Sequence, residues 1–256
     1  MPIASTPSGD IFYITRGTSG PALVCIHGAG GTHMHWGYQV RDLSAMARVY
    51  ALDLPGHGRS APPGRTRIAD YSAVLIDFLD ACGIASAVLA GHSMGAAIAL
   101  WTALAAPERV SGLGLVGAGA RLRVAPAILA GFDRDVPATI RMIVTYSYAP
   151  SAPAALLAQA EAAYARCDPR VYHGDFVACD NFDVRTQLHA IRCPVVIVCG
   201  IEDRLTPPHY SAALRDGIPS ATLTLVPNAG HMVPIEQPGA VSQALRALLT
   251  RIAEHL

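Results

Sequence analysis

The chain contains no lysine. All of its 19 basic residues are arginines, and they are balanced by 19 aspartates and glutamates. A Schiff-base lysine, a pyridoxal-phosphate anchor and the lysine of a phosphate-binding P-loop are therefore excluded. Charge of either sign is sparse, at 15% of residues, and the formal net charge is zero. With no basic block, neither nucleic acid nor an anionic membrane is an expected partner. No run of about 20 apolar residues is present to span a bilayer. The segment Met1–Asp10 has neither the basic start nor the apolar stretch of a secretory signal. None of the six cysteines (Cys25, Cys82, Cys167, Cys179, Cys193, Cys199) forms a C-x-x-C pair. Cys25 and Cys199 lie inside apolar runs, where a thiol behaves as a small core hydrophobe. Reduced cysteines in a cytoplasmic protein are the expectation.

Hydrophobic residues make up 52% of the 256, much of that alanine. A folded chain of 26.8 kDa exposes roughly 11,000 Å², enough to enclose one large core. Short apolar runs bounded by turn residues occur at Ala22–Ile26, Val49–Leu52, Ala87–Ala90 and Val195–Cys199, with weaker ones at Gly112–Val116 and Ala221–Val226. Stretches of helical spacing lie between them, as at Ile68–Cys82 and Ala96–Ala106. This alternation predicts an α/β fold with a mostly parallel sheet covered on both faces. Asp10–Thr15 alternates as an antiparallel edge strand would. Glu236–His255 reads as a closing helix, with Leu245, Leu248, Leu249 and Ile252 on one face. Between residues 119 and 188 the alternation stops. Helical pieces around Ile128–Ser147 and Ala152–Cys167, broken by prolines, predict a helical cap of about 70 residues rather than a structureless loop. The core is thus assigned to 1–118 and 189–256, and the cap to 119–188.

The most informative pentapeptide is Gly91-His92-Ser93-Met94-Gly95. It fits G-x-S-x-G, with a strand before it and a helix after it, as a nucleophile elbow requires. Glycines two residues either side of the serine keep side chains out of a very tight turn. The serine hydroxyl is a weak nucleophile and needs a base held by an acid. From this elbow the chain order is serine, acid, histidine. Gly200-Ile201-Glu202-Asp203-Arg204 follows one strand, and Asn228-Ala229-Gly230-His231-Met232 follows the next. His231 is the expected base and Asp203 its acid, with Glu202 as the alternative acid. His92 adjoins the serine and should point away from it. His173 and His189 fall in or beside the insertion. Donors for the developing oxyanion are expected from the N–H of Met94 and from His27-Gly28-Ala29-Gly30-Gly31, through Ala29 or, as second choice, Gly30.

Taken together, H-G-A-G-G at 27–31, D-L-P-G-H-G-R-S at 53–60, G-H-S-M-G at 91–95, G-I-E-D-R at 200–204, N-A-G-H at 228–231 and E-Q-P at 236–238 resemble an α/β-hydrolase. The type is cap-bearing and cofactor-free, and includes serine carboxylesterases and lactonases. The resemblance implies an eight-stranded, mostly parallel sheet, an acyl-enzyme mechanism and no cofactor. It also implies that Asp53, His57, Arg59 and Ser60 are structural or pocket-lining. Ser93 argues against the relatives that use an aspartate nucleophile. Lactonases, carbon–carbon bond hydrolases, cofactor-free perhydrolases and acyltransferases share the constellation, and a non-catalytic small-molecule receptor would keep the fold alone. The expected partner is a small ester or lactone, and a homodimer is compatible with the sequence. His33-Met34-His35 reads as a loop or helix start, so no metal is expected. Trp36 is expected beneath the oxyanion loop or lining the substrate pocket at its mouth, and Tyr146, Tyr148, Phe176 and Phe182 are proposed to line the pocket, with cap core as the competing role for these aromatics of the insertion.

Overall fold

A computed structural model describes residues 2–254. Eight strands, β1 (Ile3–Thr6), β2 (Gly9–Arg16), β3 (Ala22–Ile26), β4 (Arg48–Leu52), β5 (Ala87–His92), β6 (Val110–Val116), β7 (Val195–Gly200) and β8 (Ala221–Val226), form one sheet in the order β1-β2-β4-β3-β5-β6-β7-β8. β1 and β2 pair as an antiparallel hairpin, and β2 pairs antiparallel with β4. Every other pairing is parallel. The predicted strand near Asp10–Thr15 exists but is not the edge. Ile3–Thr6 folds back on it through a tight turn and takes that place.

The helices of the first half are α1 (Gly37–Leu43), α2 (Ile68–Ala81) and α3 (Met94–Ala105). Four more lie between β6 and β7: α4 (Pro126–Arg134), α5 (Val136–Ser147), α6 (Ala154–Tyr164) and α7 (Pro169–Asp180). The last three are α8 (Pro208–Gly217), α9 (Val233–Glu236) and α10 (Pro238–Ala253). Side chains alternate across a strand, so β3 feeds two cores at once. Val24 and Ile26 join the α2, α3 and α8 side, and Leu23 and Cys25 join the α1 and α10 side. All of β3 and β5 is buried, which accounts for the unbroken apolar runs Ala22–Ile26 and Ala87–Ala90 within them.

Helix boundaries depart from the expected ones at prolines and caps. Ile128–Ser147 is two helices, because Asp135 turns extended and its carboxylate accepts the Ala138 N–H at 2.9 Å, starting α5 afresh. The closing helix begins at Pro238, with the separate turn α9 ahead of it; His255, at its expected end, lies outside the described residues. Helix α7 was not anticipated. Its start is nonetheless written in Asp168-Pro169: the Asp168 carboxylate accepts the Arg170 N–H at 2.9 Å and Pro169 occupies the first turn. Helices α4 to α7 share a third cluster built on Phe132, Ile143, Val144, Tyr148, Tyr164 and Tyr172. No helix among the described residues is long and apolar enough to cross a membrane.

Candidate active site

Parallel strands bring their C-terminal ends to one edge of the sheet, and the loops that follow β3, β5, β7 and β8 meet there. Ser93 directly follows β5 and caps α3 with φ 53° and ψ −116°, a positive-φ conformation costly for a residue with a side chain. The turn is held by the Ser93 N–H donating to the Val116 carbonyl at 2.9 Å. It leaves no room for larger neighbours. A Cβ on Gly91 would sit 2.2 Å from the Gly95 carbonyl oxygen, and one on Gly95 would sit 2.2 Å from that of Ile26. Met94 opens α3, so its N–H has no carbonyl within the helix to bond.

Asp203 is fully enclosed at the end of β7. Its Oδ1 accepts the N–H groups of Leu205 (2.9 Å) and Thr206 (2.8 Å), and its Oδ2 accepts the Thr206 hydroxyl (2.8 Å). His231 Nδ1 lies 2.9 Å from the same Oδ2 and 3.1 Å from Thr206 Oγ1. Burial pushes the Asp203 carboxyl up, but the adjacent His231 and the Thr206 bonds outweigh it and hold the group below its ordinary range. An ionised carboxylate can only accept, so the imidazole proton sits on Nδ1 and leaves Nε2 as an acceptor. Glu202 has no bond to His231 and is only partly buried. Asp203-x-x-Thr206 is a local Asx arrangement, readable from sequence but not anticipated.

His92 is buried, with Nε2 2.9 Å from the His231 carbonyl oxygen, and its ring packs 4.8 Å from that of His231. Burial, then the neighbouring His231 and His35, depress its pKa far below the ordinary value. His92 is therefore a neutral donor supporting the His231 backbone. Glu236 spans the Gly230 N–H (2.9 Å) and the Ala149 N–H (2.8 Å), tying the His231 loop to the end of α5. Among the described residues the Ser93 hydroxyl has no hydrogen-bond partner. Catalytic contacts in unliganded sites often tighten only when substrate binds.

The loop after β3 supplies the remaining parts. Ala29 lines a cavity of about 170 Å³ together with Ser93, Leu122, Ile128, Phe176 and Thr206. The Gly30 N–H does not face that cavity as a free donor. It donates to Asp175 Oδ2 at 2.8 Å, which removes the second-choice oxyanion donor. Of the aromatics expected to line the pocket, Phe176 alone borders this cavity, and Phe182 is buried in the core on the α2 and α3 side of the sheet. Trp36 is fully buried in the sheet core, Tyr148 is buried among α4 to α7, and Tyr146 is exposed beneath the Arg204 guanidinium. A larger cavity of about 450 Å³ lies on the outer side of the loop, between Gly30–His35, Arg59 and α6, and does not include Ser93. Proximity to Ser93 rather than size singles out the smaller one.

The 53–60 stretch wraps its own first residue. Asp53 accepts the His33 N–H (2.7 Å) and the Arg59 N–H (3.0 Å), with His33 Nδ1 2.8 Å away, while Ser60 donates to the Asp53 carbonyl at 2.6 Å. His57 lies with Nε2 2.7 Å from Asp175 Oδ2. Burial alone would lower the His57 pKa. The Asp175 charge and hydrogen bond, helped by the Pro55 and Asp53 oxygens, raise it instead, favouring the imidazolium form of His57 beside the Asp175 carboxylate.

Residues 23–244 match the model of the alpha/beta hydrolase family. The chain belongs to that family. Among curated relatives, it is 33% identical to the "Dihydrolipoyllysine-residue acetyltransferase component of acetoin cleaving system" of Pseudomonas putida. That match covers 92% of this chain but 65% of the relative, so the chain spans less than two thirds of that protein's length. It is 30% identical to a protein of Azorhizobium caulinodans provisionally named carbamate hydrolase RutD, over 96% of this chain and 97% of that one. A solved thermophilic esterase superposes with a TM-score of 0.86 at 27% identity, covering 98% of this chain and 97% of the esterase.

Proposed function

We propose that the protein is a serine hydrolase that cleaves small to medium carboxylic esters through an acyl-enzyme intermediate. The observations that carry this reading are the backbone-strained Ser93 directly after β5 and the hydrogen-bonded His231–Asp203 pair in the loops after β8 and β7. Ser93 Oγ attacks the ester carbonyl as His231 Nε2 takes its proton. Asp203 holds the Nδ1–H tautomer and stabilises the imidazolium that results. The N–H groups of Ala29 and Met94 receive the negative charge that develops on the carbonyl oxygen. His231 returns the proton to the leaving alcohol. Water then attacks the acyl-Ser93 ester with the same assistance and frees the acid. The four helices between β6 and β7 serve as a cap, with Phe176, Leu122 and Ile128 forming an apolar wall for the acyl group.

A chain-length panel of chromogenic esters, run beside several lactones and a carbamate ester, tests this. Turnover is expected to peak at short or medium acyl chains and to vanish in Ser93→Ala. Absence of turnover on every substrate by wild type would remove the hydrolase reading. Equal turnover by Ser93→Ala would remove the mechanism.

A further inference from the structure

We propose that Asp175, on α7 in the 119–188 segment, is a positioning residue that sets the oxyanion loop for Ser93 chemistry. The inference rests on the serine-hydrolase reading above and adds to it the device that holds Ala29.

Asp175 is fully buried, and both of its oxygens are committed. Oδ2 accepts the Gly30 N–H at 2.8 Å and pairs with His57 at 2.7 Å, while Oδ1 accepts the Tyr71 hydroxyl at 2.5 Å. One carboxylate from the inserted helices thus gathers three separate parts of the core: the loop after β3, the loop after β4 and helix α2. Peptide planarity converts this into control of the neighbouring amide. The Ala29 N–H shares a plane with the Gly28 carbonyl, which is pinned by the Gly31 N–H (3.0 Å) and by His27 Nδ1 (2.7 Å). The next plane, between Ala29 and Gly30, is pinned by Asp175. Both planes flanking the Ala29 Cα are therefore fixed, one by the core and one by α7. The loop is also pressed onto α7 there: a Cβ on Gly30, at φ +65°, would lie 2.5 Å from the Tyr172 ring.

The spacing on α7 joins this clamp to the cavity. Tyr172, Asp175, Phe176 and Cys179 follow i, i+3, i+4, i+7 on one helix face. The first two hold the loop, and the last two line the cavity beside Ser93. Seating α7 therefore fixes one of the two peptide planes that meet at the Ala29 Cα. Without Asp175 the Ala29–Gly30 plane loses its anchor, and the Ala29 Cα, which it shares with the donor's plane, is held from the core side alone. A misplacement of about 1 Å can cost about 100-fold in rate.

The test uses the full chain with Asp175→Asn and Asp175→Ala. Active sites are counted by a fluorophosphonate that labels the nucleophilic serine, so kcat is expressed per competent site. Affinity for an alkylboronic acid, which forms a tetrahedral anionic adduct on that serine, reports the oxyanion hole. In Asp175→Ala, kcat per site is expected to fall about 10- to 100-fold with KM within about threefold, and boronate affinity to fall in parallel. Asp175→Asn keeps the shape but cannot accept from Gly30, His57 and Tyr71 together, so a loss of about fivefold or more in kcat per site is expected. The Asn variant decides if the Ala variant does not fold. A drop in melting temperature or labelled fraction with kcat per site within twofold of wild type would overturn the proposal. So would a rise in KM at unchanged kcat. If wild type itself neither labels nor turns over, the serine-hydrolase reading fails, and that failure is distinct from the first two.

Discussion

The sheet edge and the helices above it are built on different principles. At the edge, position is set by backbone. Ser93 is strained into place, Gly91 and Gly95 allow contacts that no side chain could share, and Asp203 is held by two N–H groups and a hydroxyl. In the inserted segment, position is set by side-chain packing, with a ring cluster of Phe132, Tyr164, Tyr172 and Phe176 and only a few polar anchors to the core. A backbone-built site tolerates almost no change, whereas a packed one tolerates changes of shape and turns them into changes of preference. Chemistry should therefore belong to the first region and substrate choice to the second, with Asp175 as the point where the second reaches into the first.

That division can be broken at several places. The largest effect is expected at the edge: Asp203→Asn should lower kcat about 10⁴-fold while the protein stays folded, measured by initial rates beside a circular dichroism spectrum. A near-normal rate would move the acid role elsewhere. Gly95→Ala places a methyl 2.2 Å from the Ile26 carbonyl oxygen, so a stability loss of about 3 kcal/mol or more is expected in denaturant unfolding. A change within about 0.5 kcal/mol would show that the turn is looser than drawn. In the inserted segment, Phe176→Ala should leave kcat on the shortest esters nearly intact and shift the preferred acyl length, altering kcat/KM between neighbouring chain lengths by about tenfold. A uniform loss across the panel would make Phe176 part of the chemistry rather than of selection.

The smallest effect is on pH dependence. His57 has a raised folded pKa, so its ion pair with Asp175 contributes fully below the unfolded value of about 6.5, and that contribution is lost as pH climbs through the folded value. The melting temperature of wild type should decline across that alkaline interval, and His57→Gln should start lower and decline less. Parallel profiles would show that the pair is not charged in the folded protein.

The same division explains what could be read from the sequence. The parallel strands are legible because burial on both faces leaves uninterrupted apolar runs such as Leu89 and Ala90 beside Val88. Ser93, Asp203 and His231 are legible because strained or tightly bonded backbone demands particular residues at fixed spacing around them. Asp175 carries no such mark. It lies 145 residues from Gly30, in an ordinary stretch of helix, and only the docking of α7 brings it to the loop. The pocket aromatics are hard to place for the same reason: tertiary packing decides whether a ring borders a cavity, as Phe176 does, joins the core, as Trp36 and Tyr148 do, or stays exposed, as Tyr146 does. The start of α7 is the exception, since Asp168-Pro169 is a local signal that can be read without the fold.

The central claim, that Ser93 is the nucleophile activated by His231 and Asp203, is tested most directly by covalent capture. Wild-type protein is treated with a fluorophosphonate near neutral pH, followed by intact-mass and peptide mass spectrometry. One adduct per chain, located on Ser93, is expected, with labelling slowed by orders of magnitude in His231→Ala. An adduct on another residue, or equally rapid labelling of the His231→Ala protein, would contradict it.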